Sequence, residues 1–127
     1  MFSSKLNALL FFLFISISVL GQKQIDQIKE QLKDTKLSDS TKIKLYGDLG
    51  WYYSNISIDS AFKYSKVALK LSKESKNQNG IAQSYNDIGI IHYRISSFDS
   101  SIVYYKKALD IRFQLKDSLR IAAIYNK

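Results

Sequence analysis

The stretch from Ile56 through Asp59 and Tyr64 to Ala68-Leu69 returns about forty positions later, running from Ile95 through Asp99 and Tyr104 to Ala108-Leu109. That period constrains the fold more than any other feature of the chain. Units of this length cannot bury an apolar face alone and must stack on neighbours, so the product is an array that offers surfaces, and binding is expected before catalysis. Helix formers dominate between the turn signals, the 127 residues include no proline, and nothing alternates as a half-buried strand would. The expected class is all-α.

The amino-terminal stretch speaks to compartment. Lys5 precedes the apolar run Leu9-Leu10-Phe11-Phe12-Leu13-Phe14-Ile15, which continues to Leu20, and Val19 and Gly21 are small enough for the positions before a cut. This pattern predicts a signal peptide over residues 1–21, cleaved to leave Gln22, and export to the bacterial periplasm. The alternative, an uncleaved anchor, needs about 20 apolar residues, whereas this run is shorter and is interrupted by Ser16 and Ser18. With no cysteine anywhere, lipid attachment after the run, a disulfide framework and thiolate metal sites are all excluded. What remains suits one domain with a modest core.

The formal net charge is +8, or +7 once Lys5 departs with the leader, carried by lysines spread through every expected helix. A solvated basic exterior accounts for this. Nucleic acid is not an expected partner, since the sequence shows no aromatic–basic cluster and no recognition-helix pattern.

Ile25, Ile28 and Leu32 fall at helical spacing and predict a leading helix over about residues 22–36, part of a segment 22–38 that caps the repeats. Leu37-Ser38-Asp39-Ser40 supplies a break and an N-cap. Two helices then follow, over about 40–55 and 58–75, with Ser57 as N-cap and Asp59 in the first turn of the second, where a carboxylate favours the helix dipole. Asn77 to Gly80 ends that hairpin, Gly80 being suited to a left-handed helix terminus. A second hairpin carries Ile81, Tyr85, Ile88 and Tyr93, then Phe98 to Leu115. A third copy begins at Ile121-Ala122-Ala123-Ile124-Tyr125-Asn126, which matches Ile81 to Asn86. The expected repeats are therefore 39–78, 79–117 and a partial 118–127, as in a fragment of a longer protein. Ile121, Ile124 and Tyr125 would lack a covering helix and favour self-association.

Leu49-Gly50 and Ile88-Gly89 in the first helices, Ala61 and Ser101 as the first small residues of the second, Ala68-Leu69 and Ala108-Leu109, and the aromatic Phe98 resemble the tetratricopeptide repeat over residues 39–127. The family's closing proline is absent and the period exceeds its common length. The resemblance implies a right-handed superhelical solenoid of antiparallel helix hairpins, with about two full repeats, a leading helix and a partial third. The leader, the lysine-rich helix and the long repeats together resemble the sensory amino-terminal region of certain bacterial membrane-bound histidine kinases and regulators. In those proteins a membrane anchor and an output domain follow.

Chemistry has little to draw on. One histidine, His92, and no cysteine leave no metal set and no activated nucleophile, and the isolated glycines form no phosphate loop. No cofactor and no enzymatic activity are expected of this chain. His92 stands where the family often has tyrosine, so it is expected to pack within its repeat. Lys63, Lys66, Lys70 and Lys73 share one helical face, expected to be solvated. The resemblance implies a concave groove built from first helices and presenting Lys44, Trp51, Gln83, Asn86, Ile90, Tyr93, Arg94 and Asn126. Such residues suit a protein or peptide partner, amides meeting its backbone, aromatics its apolar groups, and Lys44 or Arg94 a carboxylate. Trp51 and Tyr93 read equally well as core residues.

Overall fold

A computed structural model describes the backbone of residues 2–125 and the side-chain surroundings of residues 3–13, 19–116 and 118. The chain divides into two compact units, Met1–Thr35 and Lys36–Lys127. The first is α1 (Phe2–Gln31), one continuous helix through the expected leader and leading helix. It ends at Gln31, short of the expected Lys36, where Leu32 and Lys33 donate back to the Ile28 and Glu30 carbonyls. Ile25 and Ile28 are its buried positions. Leu9 to Leu13 are exposed, and among the described residues no helix is long and apolar enough to cross a membrane.

The second unit is an all-α repeat solenoid of two helix hairpins, α2 (Asp39–Tyr53) with α3 (Ile58–Glu74), and α4 (Gln78–Arg94) with α5 (Phe98–Tyr125). Each helix packs on the next, and α2 also touches α4, so the first helices lie side by side. Starts are fixed by side-chain caps: Ser38 accepts from the Thr41 amide at 3.2 Å, Ser57 from Ser60 at 3.3 Å, and Asn77 from Gly80 at 2.9 Å. Each satisfies an otherwise unpaired helix donor and contributes about 1 kcal/mol.

Packing rests on small residues. The core combines Ile43, Leu45, Leu49, Ile88 and Ile91 with Ala61, Ala68, Ala82 and Ala108, and with buried Ser65, Ser72, Ser84 and Ser101. Glycines meet these at backbone-to-backbone range. A Cβ on Gly50 would lie 2.3 Å from Ser65 Oγ and 3.3 Å from the Ala61 carbonyl, and one on Gly89 would lie 2.8 Å from the Tyr105 ring. Around these contacts the repeats build matching aromatic stacks. Tyr64 stacks on Tyr46 and Tyr53, with centroids 6.3 and 5.3 Å away. Tyr104 packs likewise on Tyr85 and His92, at 6.0 and 5.2 Å. His92 thus occupies the place of Tyr53 and packs within its repeat as expected, with Phe62 of the preceding repeat 4.9 Å away.

Two expectations are corrected. Gly80 is not a left-handed terminus: it lies inside α4, and no glycine has positive φ. Lys76 turns the chain instead at φ 54°, with Asn77 N–H bonded to the Ser72 carbonyl five residues back in the manner of a Schellman end, and Ser96 repeats the turn at φ 60°. The role of Gly80 is close approach, since a Cβ there would sit 2.6 Å from Ser72 Oγ. The second correction follows from the first. No break separates the second hairpin from the third copy, because α5 runs unbroken to Tyr125. At the positions forty residues after Ser72 and Gly80 stand Arg112 and Arg120, so the small pair that folds α4 back onto α3 has no counterpart. The side chains of Ile121, Ile124 and Tyr125 lie outside the described residues, as does Asn126 altogether.

Replacing Gly50 by alanine sets an overpacking cost of about 1–3 kcal/mol against a helix-propensity gain of about 1 kcal/mol, with a net loss expected in thermal unfolding. Adding Ser65→Ala removes the 2.3 Å clash and recovers part of the loss. A double variant no more stable than Gly50→Ala would show that the hydroxyl does not set the helix spacing.

Candidate functional site

Because α2 and α4 repeat with an offset of 39, residues at one register of α2 face the same way as their counterparts on α4. Lys44 pairs with Gln83, Gly47 with Asn86, Asp48 with Asp87 and Trp51 with Ile90. These eight line a concavity of about 720 Å³, closed at one side by Asn77 and Asn79 at the start of the second repeat and by Arg112 of α5.

Five expected groove residues, Lys44, Trp51, Gln83, Asn86 and Ile90, therefore share one surface. Lys44 forms an ion pair with Asp48 one turn later. Arg94 does not line the concavity. Its guanidinium lies 4.9 Å above the Trp51 ring and donates through Nη1 to Ser54 Oγ at 2.7 Å and to Asn55 Oδ1, tying the end of α4 to the end of α2. Tyr93 is also outside the lining, its ring turned edge-on to Phe98 at 5.5 Å. Trp51 and Tyr93 are 52% and 59% exposed, so neither is a core residue. Among the described residues, no group of three or more histidine, cysteine or acidic side chains is placed to hold a metal ion.

Sequence reasoning missed Asp48, Asp87 and Arg112. The two aspartates stand two residues before Gly50 and Gly89, and that shared register was the available signal. Arg112 donates to Gln83 Oε1 at 3.0 Å, and Gln83 donates in turn to Asp87 Oδ1 at 2.8 Å. Asp87 leans toward Gly47, where even an added Cβ would be in ordinary contact with its Oδ2 at 3.6 Å. Burial pushes the Asp87 carboxyl above the usual aspartate range. Hydrogen bonds from Gln83 and Asn86 pull it back, the Asp48 charge pushes it up, and Arg112 draws it down. The groove floor is thus a hydrogen-bonded line of charge and amide beside an exposed indole.

As pH rises, the unfolded chain ionises Asp87 first and the folded chain holds the proton longer. Asp87 therefore contributes most at acid pH, and its contribution falls as pH climbs through the window above the ordinary aspartate value. Urea unfolding at stepped pH should show the stability of the native protein minus that of Asp87→Asn declining over this window. A difference that grows would mean that the carboxylate is stabilised in place.

The sequence model for the family described as SusR N-terminal TPR domain matches residues 20–92, from the later part of α1 to the last turn of α4. No curated protein matches the chain, and no solved structure does. The match covers more than half of the sequence, and the stacked hairpins are those of a tetratricopeptide-repeat solenoid; the chain belongs to the SusR N-terminal TPR domain family.

Proposed function

We propose that this chain is an exported interaction module whose α2/α4 groove takes a segment of a partner protein or peptide. A TPR domain is a protein–protein interaction module and is generally non-catalytic, and the amide, charged and indole side chains lining the α2/α4 groove support that reading. The observation that carries the proposal is the half-exposed Trp51 at the rim of a concavity floored by Gln83, Asn86 and Asp87. An exposed indole offers apolar area at low entropic cost, and side-chain amides can pair with a peptide backbone. The charged start and apolar run support export to the periplasm as part of this proposal.

A second reading makes this module the non-catalytic sensing end of a longer signalling protein, either a membrane-bound histidine kinase or a transcriptional regulator. The family description favours it, since it places the TPR domain at the amino terminus of its namesake. Any membrane attachment would then come from the parent protein.

Panning a phage-displayed random dodecapeptide library on the immobilised chain tests the groove. Selected peptides should bind Trp51→Ala about thirtyfold more weakly, as for loss of a hot-spot side chain worth about 2 kcal/mol, with helix content unchanged by circular dichroism. Peptides that bind Trp51→Ala and Ile90→Ala as well as the native protein would move the site elsewhere.

A further inference from the structure

The side of the repeats built by α3, α5 and the far face of α4 carries a second surface, which shares no residue with the groove. Its floor is a continuous seam of rings. Phe62 packs on His92 at 4.9 Å, His92 stacks on Tyr104 at 5.2 Å, and Tyr104 meets Tyr85 at 6.0 Å. Lysines from two helices lean over this seam. From α3, Lys66 lies 5.7 Å from the Phe62 centroid and Lys73 lies 5.5 Å from that of Tyr85. From α5, Lys107 lies 5.5 Å from the Tyr85 centroid and 5.3 Å from that of Tyr104.

Two ammonium groups from different helices thus converge on the ring of Tyr85. Lys63, Lys66, Lys73 and Lys107 have no carboxylate partner among the described residues, while Lys70 is paired with Glu74 at 3.8 Å. Cation–π contact holds each ammonium over a ring but leaves donors pointing outward. The like charges gathered on one seam repel, and an incoming anion relieves that repulsion.

We propose that this trough docks an acidic segment of a partner protein, with glutamate or aspartate side chains bridging the α3 and α5 lysines and the segment lying along the aromatic seam. The shape favours a chain over a flat anionic bilayer. Between Phe62, Lys66, His92 and Tyr104 the surface is a concavity of about 590 Å³, which a planar headgroup layer cannot fill. Asp59 at that end of the trough repels a uniformly anionic sheet but leaves the Lys66–Lys73–Lys107 stretch open. From Lys63 to Lys73 the helix rises about 15 Å, the reach of about five extended residues. The expected solvated face is therefore a recognition surface, and the aromatic–basic cluster absent from the linear sequence is assembled by stacking.

Fluorescence anisotropy of a labelled hexaglutamate peptide with the full chain tests this. Saturable binding is expected that weakens as salt rises from about 0.05 to about 0.3 M. Lys66→Gln, Lys73→Gln and Lys107→Gln together should weaken it about tenfold. The corresponding three arginine substitutions keep the charge and should retain binding. Lys66→Gln alone, which leaves both contacts to Tyr85 in place, should give a partial loss. Equal loss in the charge-matched variant Lys23→Gln/Lys33→Gln/Lys42→Gln would overturn the proposal by showing only net-charge attraction. It is also overturned if hexaglutamate fails to bind, or if phosphatidylserine–phosphatidylcholine vesicles bind through the same lysines while the peptide does not.

Discussion

Close approach of backbones at paired small residues is the contact on which the rest of this solenoid depends. Gly50 against Ser65 and Ala61, and Gly89 against Ser101 and Tyr105, set the spacing within each hairpin, while Gly80 against Ser72 sets the spacing between them. A helix pair this near leaves no room for large side chains along its contact line. Those side chains are displaced to the flanks, where Tyr46, Tyr53 and Tyr64 form one stack and Tyr85, His92 and Tyr104 another. The aromatic content of the chain is thus a consequence of its glycine and alanine positions, filling the wedge that opens beside a tight contact.

The same spacing creates the groove. With α2 and α4 in contact and their sequences in register, each groove position is presented twice, so the groove offers two turns of similar chemistry rather than one isolated site. The differences between copies then confer polarity: Lys44 against Gln83, Gly47 against Asn86 and Trp51 against Ile90. One half offers charge and an indole, the other amides and an aliphatic side chain.

The hairpins, the cap at Ser57, the capped break over Leu37 to Ser40 and the packing role of His92 were legible in the sequence, because each depends on local chemistry or on a repeat register that can be counted. The groove positions on α2 and α4 came from the family resemblance, which implies a concave face built from first helices. Tyr93 departs from it because Phe98, at the start of the next helix, draws its ring aside. Arg94 does so because Ser54 and Asn55, some forty residues earlier, take its donors. Gly80 was misread because glycine near a helix end has two uses, conformational and steric, and only the helix opposite reveals which applies. The continuity of α5 has the same origin, since Arg112 and Arg120 are ordinary helix formers whose effect appears only against the Ser72–Gly80 contact they replace. The register of Asp87 could be counted, but its environment could not, because it comes from Gly47, Gln83 and Arg112 on three different helices.

Arg94 joins the two repeats at the rim of the groove, bonded to Ser54 and Asn55 and lying on Trp51. Neighbouring repeats also meet through the α3–α4 packing at Ser72 and Gly80, and this side chain adds a tie on the opposite side of the joint, where it bears on curvature as well as on stability. An occupant that needs the Trp51 face must either stack beside the guanidinium or displace it, and displacement loosens the joint between repeats. By reciprocity, any strain that opens the joint changes affinity at Trp51 by the same free energy. For an occupant of the proposed groove, tension or compression along the stack would therefore be a variable that alters affinity.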